Sequence, residues 1–125
     1  RLKPGANASL QIMTIANELF PNYRKTVDFI QKHVFPGGML PSPNALRAEV
    51  ERAGLSYLKS IEFGESYSIT LRRWYETFNA AWPEIMQMGF DQRFKNMWDF
   101  YLTSCASGFH YGTTDVTQVT IQRPK

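Results

Sequence analysis

Three short stretches with strand-like patterning, residues 10–15, 55–63 and 114–123, are separated by segments whose apolar residues recur at helical spacing. Helices laid between strands restrict a chain of this length to an α/β layer and exclude an all-helical bundle. The first stretch, Leu10-Gln11-Ile12-Met13-Thr14-Ile15, is apolar on both faces, the pattern of a strand covered on two sides. Three strands make a small sheet with an open edge, which a complete domain covers. With the Leu2-Lys3-Pro4-Gly5 opening at the head of the chain, this predicts that residues 1–125 form one unit of a longer polypeptide. A bare sheet edge further predicts marginal stability or homo-oligomerisation of the unit alone.

The helical segments have clear signals. Ser42 is a predicted N-cap, with Pro43 at the first helical position, Leu46, Val50 and Ala53 on one stripe, and Gly54 beyond the end. A helix over residues 66–79 places Tyr67, Leu71, Trp74, Tyr75 and Phe78 together. Pro83 opens a short turn of helix. Asp91 caps a longer helix whose stripe holds Phe94, Met97, Trp98, Tyr101, Leu102 and Cys105, with Gly108 and Gly112 at its end. Pro21 interrupts residues 17–23, and a further helix is expected over residues 26–33, with Val27, Ile30 and Val34 on one side. Phe35-Pro36-Gly37-Gly38-Met39-Leu40-Pro41 is a shaped loop.

Charge and composition exclude several functions. The net charge of +3 comes from cations interspersed with acids, the pattern of a solvated face rather than a nucleic-acid patch. A single cysteine, Cys105, rules out an internal disulfide, fits a reducing compartment and falls on an apolar stripe. No apolar run is long enough to span a membrane. His33 and His110 have no cysteine or acidic partner at ligand spacing, so no metal site is expected; both read as helix-end residues, His110 favoured there by the helix dipole. Glu62 and Glu65 read as solvated carboxylates at a strand-to-helix turn. No G-x-S-x-G nucleophile elbow and no G-x-G-x-x-G phosphate loop occurs. Aromatic residues are 14% of the chain, enough to line an apolar pocket as well as a core.

Four segments in order carry a resemblance. They are Phe29-Ile30-Gln31-Lys32-His33-Val34-Phe35-Pro36-Gly37-Gly38-Met39-Leu40-Pro41-Ser42, Phe63-Gly64-x-x-Tyr67-x-x-Thr70-Leu71-x-x-Trp74, the run from Ala81-Trp82-Pro83 to Tyr101-Leu102, and Asp115-Val116-x-Gln118. Together they resemble the C-terminal portion of the cyclopropane-fatty-acyl-phospholipid and mycolic acid cyclopropane synthases, which are class I S-adenosylmethionine methyltransferases. The resemblance implies a Rossmann-like α/β fold, here a three-stranded mixed sheet piece. Its strands would be the fifth, sixth and seventh of a doubly wound sheet. The last would run antiparallel between the other two, and the helices of residues 66–108 would cover one face. The cofactor loop would lie upstream.

The same resemblance implies a chemistry. The double bond of an unsaturated phospholipid acyl chain receives the sulfonium methyl of S-adenosylmethionine, and a bound bicarbonate removes a proton so that a cyclopropane closes. Tyr67 matches the tyrosine that holds the bicarbonate and is the implied catalytic residue; the main chain of Ile15 matches a second bicarbonate contact. Trp74, Phe78, Trp98 and Tyr101 are the lipid-facing candidates. The substrate places the protein in the cytoplasm, peripheral to the inner membrane surface. One position departs from the family: Met13 stands where a histidine is usual, and a thioether cannot hold an anion as imidazole does. That departure leaves open a relative that makes methyl-branched or methylene products, and, from another class, a non-catalytic lipid-binding module.

Overall fold

The computed structural model describes residues 2–125, so Arg1, at the head of the opening turn, lies outside the described residues. Three strands, β1 (Asn7–Ile15), β2 (Ser56–Glu62) and β3 (Thr114–Gln122), form one sheet in the order β1-β3-β2. β3 runs antiparallel to both neighbours, the placement the resemblance implies. Because β3 lies between the other two, both pairings are antiparallel, and the sheet expected to be mixed has no parallel pairing among the described residues.

Helices α1 (Phe20–Tyr23), α2 (Phe29–His33) and α3 (Pro43–Arg52) connect β1 to β2; α4 (Gly64–Ala80), α5 (Trp82–Gln87) and α6 (Gln92–His110) connect β2 to β3. Side chains alternate across a strand, so the sheet presents two faces. On one, Leu46 and Val50 of α3 pack with Val119 and Ile121 of β3, joined by Ile12 and Tyr57. On the other, Leu71 of α4 and Leu102, Ala106 and Phe109 of α6 bury Val116. The polar residues that reach this core are paired: Ser68 Oγ donates to the Ala106 carbonyl at 2.8 Å and thereby ties α4 to α6.

Two local expectations are corrected. The helix expected over residues 26–33 begins only at Phe29, and Val27 is 72% exposed. Asp28 is the cause: its carboxylate accepts from the Gln31 N–H while the Gln31 side chain accepts from the Asp28 N–H, a capping box that starts the helix there. The end of α6 at His110 does fall between Gly108 and Gly112, as expected; Gly108 lies in the last turn, where an added Cβ would meet Thr114 Oγ1 at 2.9 Å, so glycine lets α6 approach β3, and Gly112 beyond the end has φ +72°. Finally, β1 is not covered on both faces: Leu10 and Met13 are 36% and 45% exposed, and Ala53, beyond the last turn of α3, is also exposed. In β1 only Thr14 and Ile15, at the end held by the loop that follows α2, are fully buried.

Candidate active site

The joint between β2 and α4 sets the site. α4 starts without a side-chain cap of its own at Phe63. Asp115 of β3 supplies one from across the sheet: its Oδ1 accepts from the Gly64 N–H at 2.8 Å and from the Val116 N–H at 2.7 Å. A carboxylate at a helix N-terminus satisfies an orphan donor and opposes the positive end of the dipole. The approach is so close that a Cβ on Gly64 would lie 2.6 Å from Asp115 Oδ1. Gly64 therefore does more than close a strand: it admits the carboxylate.

One turn later Tyr67 projects over the sheet. Its ring packs between Phe63 and Phe109, with centroids at 5.8 and 5.6 Å. Its hydroxyl oxygen accepts from Gln11 Nε2 at 2.6 Å, and Gln11 Oε1 accepts from Gln118 Nε2 at 3.0 Å. Gln11 and Gln118 are cross-strand partners, and so are Met13 and Val116. With the period of two, Gln11, Met13 and Ile15 share the sheet face that carries Val116 and lies under Tyr67. The structure therefore gathers the three implied bicarbonate positions, Tyr67, Met13 and Ile15, on one face, and adds Gln11 and Gln118. No spacing rule links these two glutamines, since they lie 107 positions apart; the Asp115-Val116-x-Gln118 segment was the signal that one of them had a role.

The chemistry of these groups toward an oxyanion is uneven. The Tyr67 hydroxyl already accepts a hydrogen bond, so its own proton remains to be donated. Met13 offers only a thioether. The Ile15 N–H donates to the Pro41 carbonyl at 3.0 Å. Ala16 N–H reaches Thr113 O at 3.0 Å, so Ile15 opposite Thr114 is a non-hydrogen-bonded pair whose carbonyl faces the outer edge of β1. Toward an anion such as bicarbonate these residues offer one phenolic donor and one main-chain carbonyl acceptor. For S-adenosylmethionine, by contrast, these residues form no adenosine- or methionine-binding loop.

The Pro-Gly-Gly loop is fastened beside the site. Gln31 Nε2 donates to the Gly38 carbonyl at 2.9 Å, the Leu40 N–H donates to the Tyr23 hydroxyl at 3.1 Å, and Phe35 meets the Tyr101 ring edge-on at 6.1 Å. Trp74, Phe78, Trp98 and Tyr101, together with Thr77 and Ala81, line an apolar cavity of about 400 Å³ between α4 and α6. All four lipid-facing candidates thus border one space. Burial pushes the Tyr101 hydroxyl above its ordinary pKa, so it stays neutral beside that space.

His110, Glu65, Glu62 and His33 make contacts of their own. His110, the last residue of α6, lies 3.2 Å from both carboxylate oxygens of Glu65, so this pair ties the end of α6 to the start of α4. Glu62 accepts from Thr117 Oγ1 at 3.5 Å. His33 ends α2 with its ring 5.0 Å from Phe29.

The family model described as mycolic acid cyclopropane synthetase matches residues 2–119, nearly the whole chain. The chain belongs to this family. Among curated members it is 34% identical over 123 residues to the tuberculostearic acid methyltransferase UfaA1 of Mycobacterium tuberculosis, covering 98% of this chain and 29% of that protein. It is 38% identical over 95 residues to the cyclopropane-fatty-acyl-phospholipid synthase of Escherichia coli, covering 76% of this chain and 24% of that enzyme. The chain thus spans less than a third of the length of these two relatives. Among solved structures, the cyclopropane synthase MmaA2 of Mycobacterium tuberculosis aligns over 97% of this chain and 45% of its own, with 22% identity and a TM-score of 0.84. The mycolic acid cyclopropane synthase CmaA1, solved with SAH and CTAB, aligns over the same shares at 25% identity, also with a TM-score of 0.84. The α/β arrangement is that of these methyltransferases, and no helix among the described residues is long and apolar enough to cross a membrane.

Proposed function

We propose that residues 1–125 are the C-terminal part of an S-adenosylmethionine-dependent methyltransferase that modifies the double bond of an unsaturated phospholipid acyl chain and yields a cyclopropane. The observation that carries this reading is the Tyr67 hydroxyl, which accepts from Gln11 and so keeps its proton for an anion on the face shared with Met13 and Ile15. Bound S-adenosylmethionine supplies an electrophilic methyl; its binding loop belongs to an upstream part of the enzyme. The alkene electron pair would form a carbon–carbon bond to this methyl as its bond to sulfur breaks and S-adenosylhomocysteine leaves, and loss of a proton from the transferred methyl to a bound base would close the ring. Within this reaction Tyr67 and the Ile15 carbonyl hold the bicarbonate that takes the proton. The apolar groove lined by Trp74, Phe78, Trp98 and Tyr101 receives the acyl chain, whose binding displaces water from it. The protein works in the cytoplasm, at the surface of the inner membrane.

Met13 favours a second reading. A thioether removes one anion contact, and a cation not deprotonated at the transferred methyl loses a proton from a neighbouring chain carbon, giving an open-chain methyl-branched alkene. The similarity to a tuberculostearic acid methyltransferase supports this variant. The test supplies the full-length enzyme with labelled S-adenosylmethionine and phospholipids bearing a cis-unsaturated chain, followed by mass spectrometry of the fatty acids. A labelled ring establishes the first reading, and a labelled open-chain alkene the second. Absence of label with every unsaturated phospholipid overturns both in favour of a non-catalytic lipid-binding module.

A further inference from the structure

We propose that Gln11, braced by Gln118, is the positioning residue that turns the Tyr67 hydroxyl proton toward the bound oxyanion and so stands in for the imidazole lacking at Met13. The proposal rests on the reading that Tyr67 holds bicarbonate. Gln118 Nε2 occupies Gln11 Oε1 at 3.0 Å, which leaves the Gln11 amino group facing Tyr67 at 2.6 Å. An amide nitrogen donates and cannot accept, so the phenolic proton has no acceptor at Gln11 and points away from it. The donated bond also polarises the hydroxyl and strengthens the bond it makes in turn.

The placement suits a substitute for histidine. Gln11 lies two residues before Met13 on the same face of β1, and its side chain is long enough to meet Tyr67 from below. Phe63 and Phe109 pack the ring and leave the hydroxyl as its free end. The two glutamines are exposed residues facing each other across adjacent strands, where shorter or charged side chains would serve solubility equally well. The ordered donor chain from Gln118 through Gln11 to Tyr67 gives a reason for amides at both positions.

The experiment uses the full-length enzyme and measures methyl transfer against bicarbonate concentration for Gln11→Leu, Gln11→Glu, Gln118→Leu and Tyr67→Phe. Bicarbonate binding is followed in parallel through the Tyr67 ring NMR signals, identified by their loss in Tyr67→Phe. Gln11→Leu is expected to raise the half-saturating bicarbonate concentration about tenfold in both readouts, the effect of one lost hydrogen bond at a charged site, with the maximal rate recovering at saturation. Gln118→Leu shifts it in the same direction by less. Gln11→Glu is the decisive variant: a carboxylate accepts the phenolic proton, turns it from the anion and repels the anion as well, so binding falls further than with leucine. A bracing role alone would tolerate glutamate as a near-isostere. Bicarbonate dependence unchanged in Gln11→Leu, or retained in Gln11→Glu, while Tyr67→Phe is impaired, overturns the role of Gln11 alone. Tyr67→Phe with wild-type bicarbonate dependence overturns the Tyr67 reading and this proposal with it.

Discussion

The carboxylate of Asp115, on the central strand, caps the first N–H of α4 at Gly64 across 51 positions of sequence. This joint fixes the start of the helix and, through it, where Tyr67 stands over β1.

Both halves of the joint are testable by substitution. Asp115→Ala removes the acceptor of two N–H groups and is expected to cost about 1–2 kcal/mol, the range of a lost helix cap. Gly64→Ala forces a Cβ to within 2.6 Å of Asp115 Oδ1 and must displace it, with a cost of about 1–3 kcal/mol. If the two share one cause, urea denaturation of the double variant shows less loss than the sum of the singles. Additive losses would mean that the cap and the glycine act separately.

A second joint ties the far end of α4 to α6. Lys95 Nζ donates to Asn79 Oδ1 at 2.5 Å and to Asp99 Oδ2 at 2.6 Å, while Asn79 Nδ2 donates to Asp99 Oδ1 at 3.0 Å. The Lys95 and Asp99 side chains are only 17% and 24% exposed, so this closed triad outweighs an ordinary surface pair. Lys95→Met keeps the aliphatic stem and removes the charge; the expected loss is about 1–2 kcal/mol, reduced in an Asp99→Asn background. Equal losses in both backgrounds would argue against the triad.

Cys105 gives a pH prediction free of interference, because it is the single cysteine of the chain. Burial, with a contribution from Asp28, pushes its thiol from an ordinary 9.0 up to about 11. The folded state thus holds the proton more tightly than the unfolded state. The stability this contributes is fully present below pH 9.0 and is lost as pH rises toward about 11. Alkylation follows the thiolate, so at neutral pH the folded chain should react about 100-fold more slowly than the urea-unfolded chain, the ratio that a two-unit shift implies. Comparable rates in the two states would overturn the assignment.

Strands, helix caps and the aromatic stripes were legible because each is written locally. Ser42 with Pro43 and Gly54 bound α3, and Asp91 starts α6 by accepting from the Phe94 N–H. Residues whose role depends on a distant partner were not legible in this way. Gly108 correctly marks the approach to a helix end, but the reason for glycine there shows only once Thr114 is seen against it, and Gly64 looks like a strand end until Asp115 is. The exposure of Leu10 and Met13 could not follow from their apolar pattern, because burial depends on what lies beside β1 and not on its composition. Gln11 drew no notice because an isolated glutamine in a strand carries no signal. Its meaning comes from the β1–β3 register, which sets it opposite Gln118 and beneath Tyr67.

The cavity between α4 and α6 supports a last prediction about chain selection. Ala81, half-buried at the junction of α4 and α5, borders the open apolar groove lined by Trp74, Phe78 and Trp98. Its backbone is in the right-handed helical region, so a larger side chain meets no conformational barrier. Ala81→Leu adds three carbons at the cavity wall. In the full-length enzyme it is expected to lower methyl transfer to long acyl chains about tenfold while shorter chains are spared, since lost van der Waals space of this size is worth roughly 1–3 kcal/mol. Ser107→Leu is the control: it enlarges a residue on the separate cavity of about 280 Å³, bordered by Leu71 and Tyr75 on another side of the α4–α6 pair. If Ala81→Leu shortens the preferred chain and Ser107→Leu does not, the larger cavity holds the acyl chain. If both variants leave chain preference unchanged, the four aromatics serve the core alone and the acyl chain lies elsewhere.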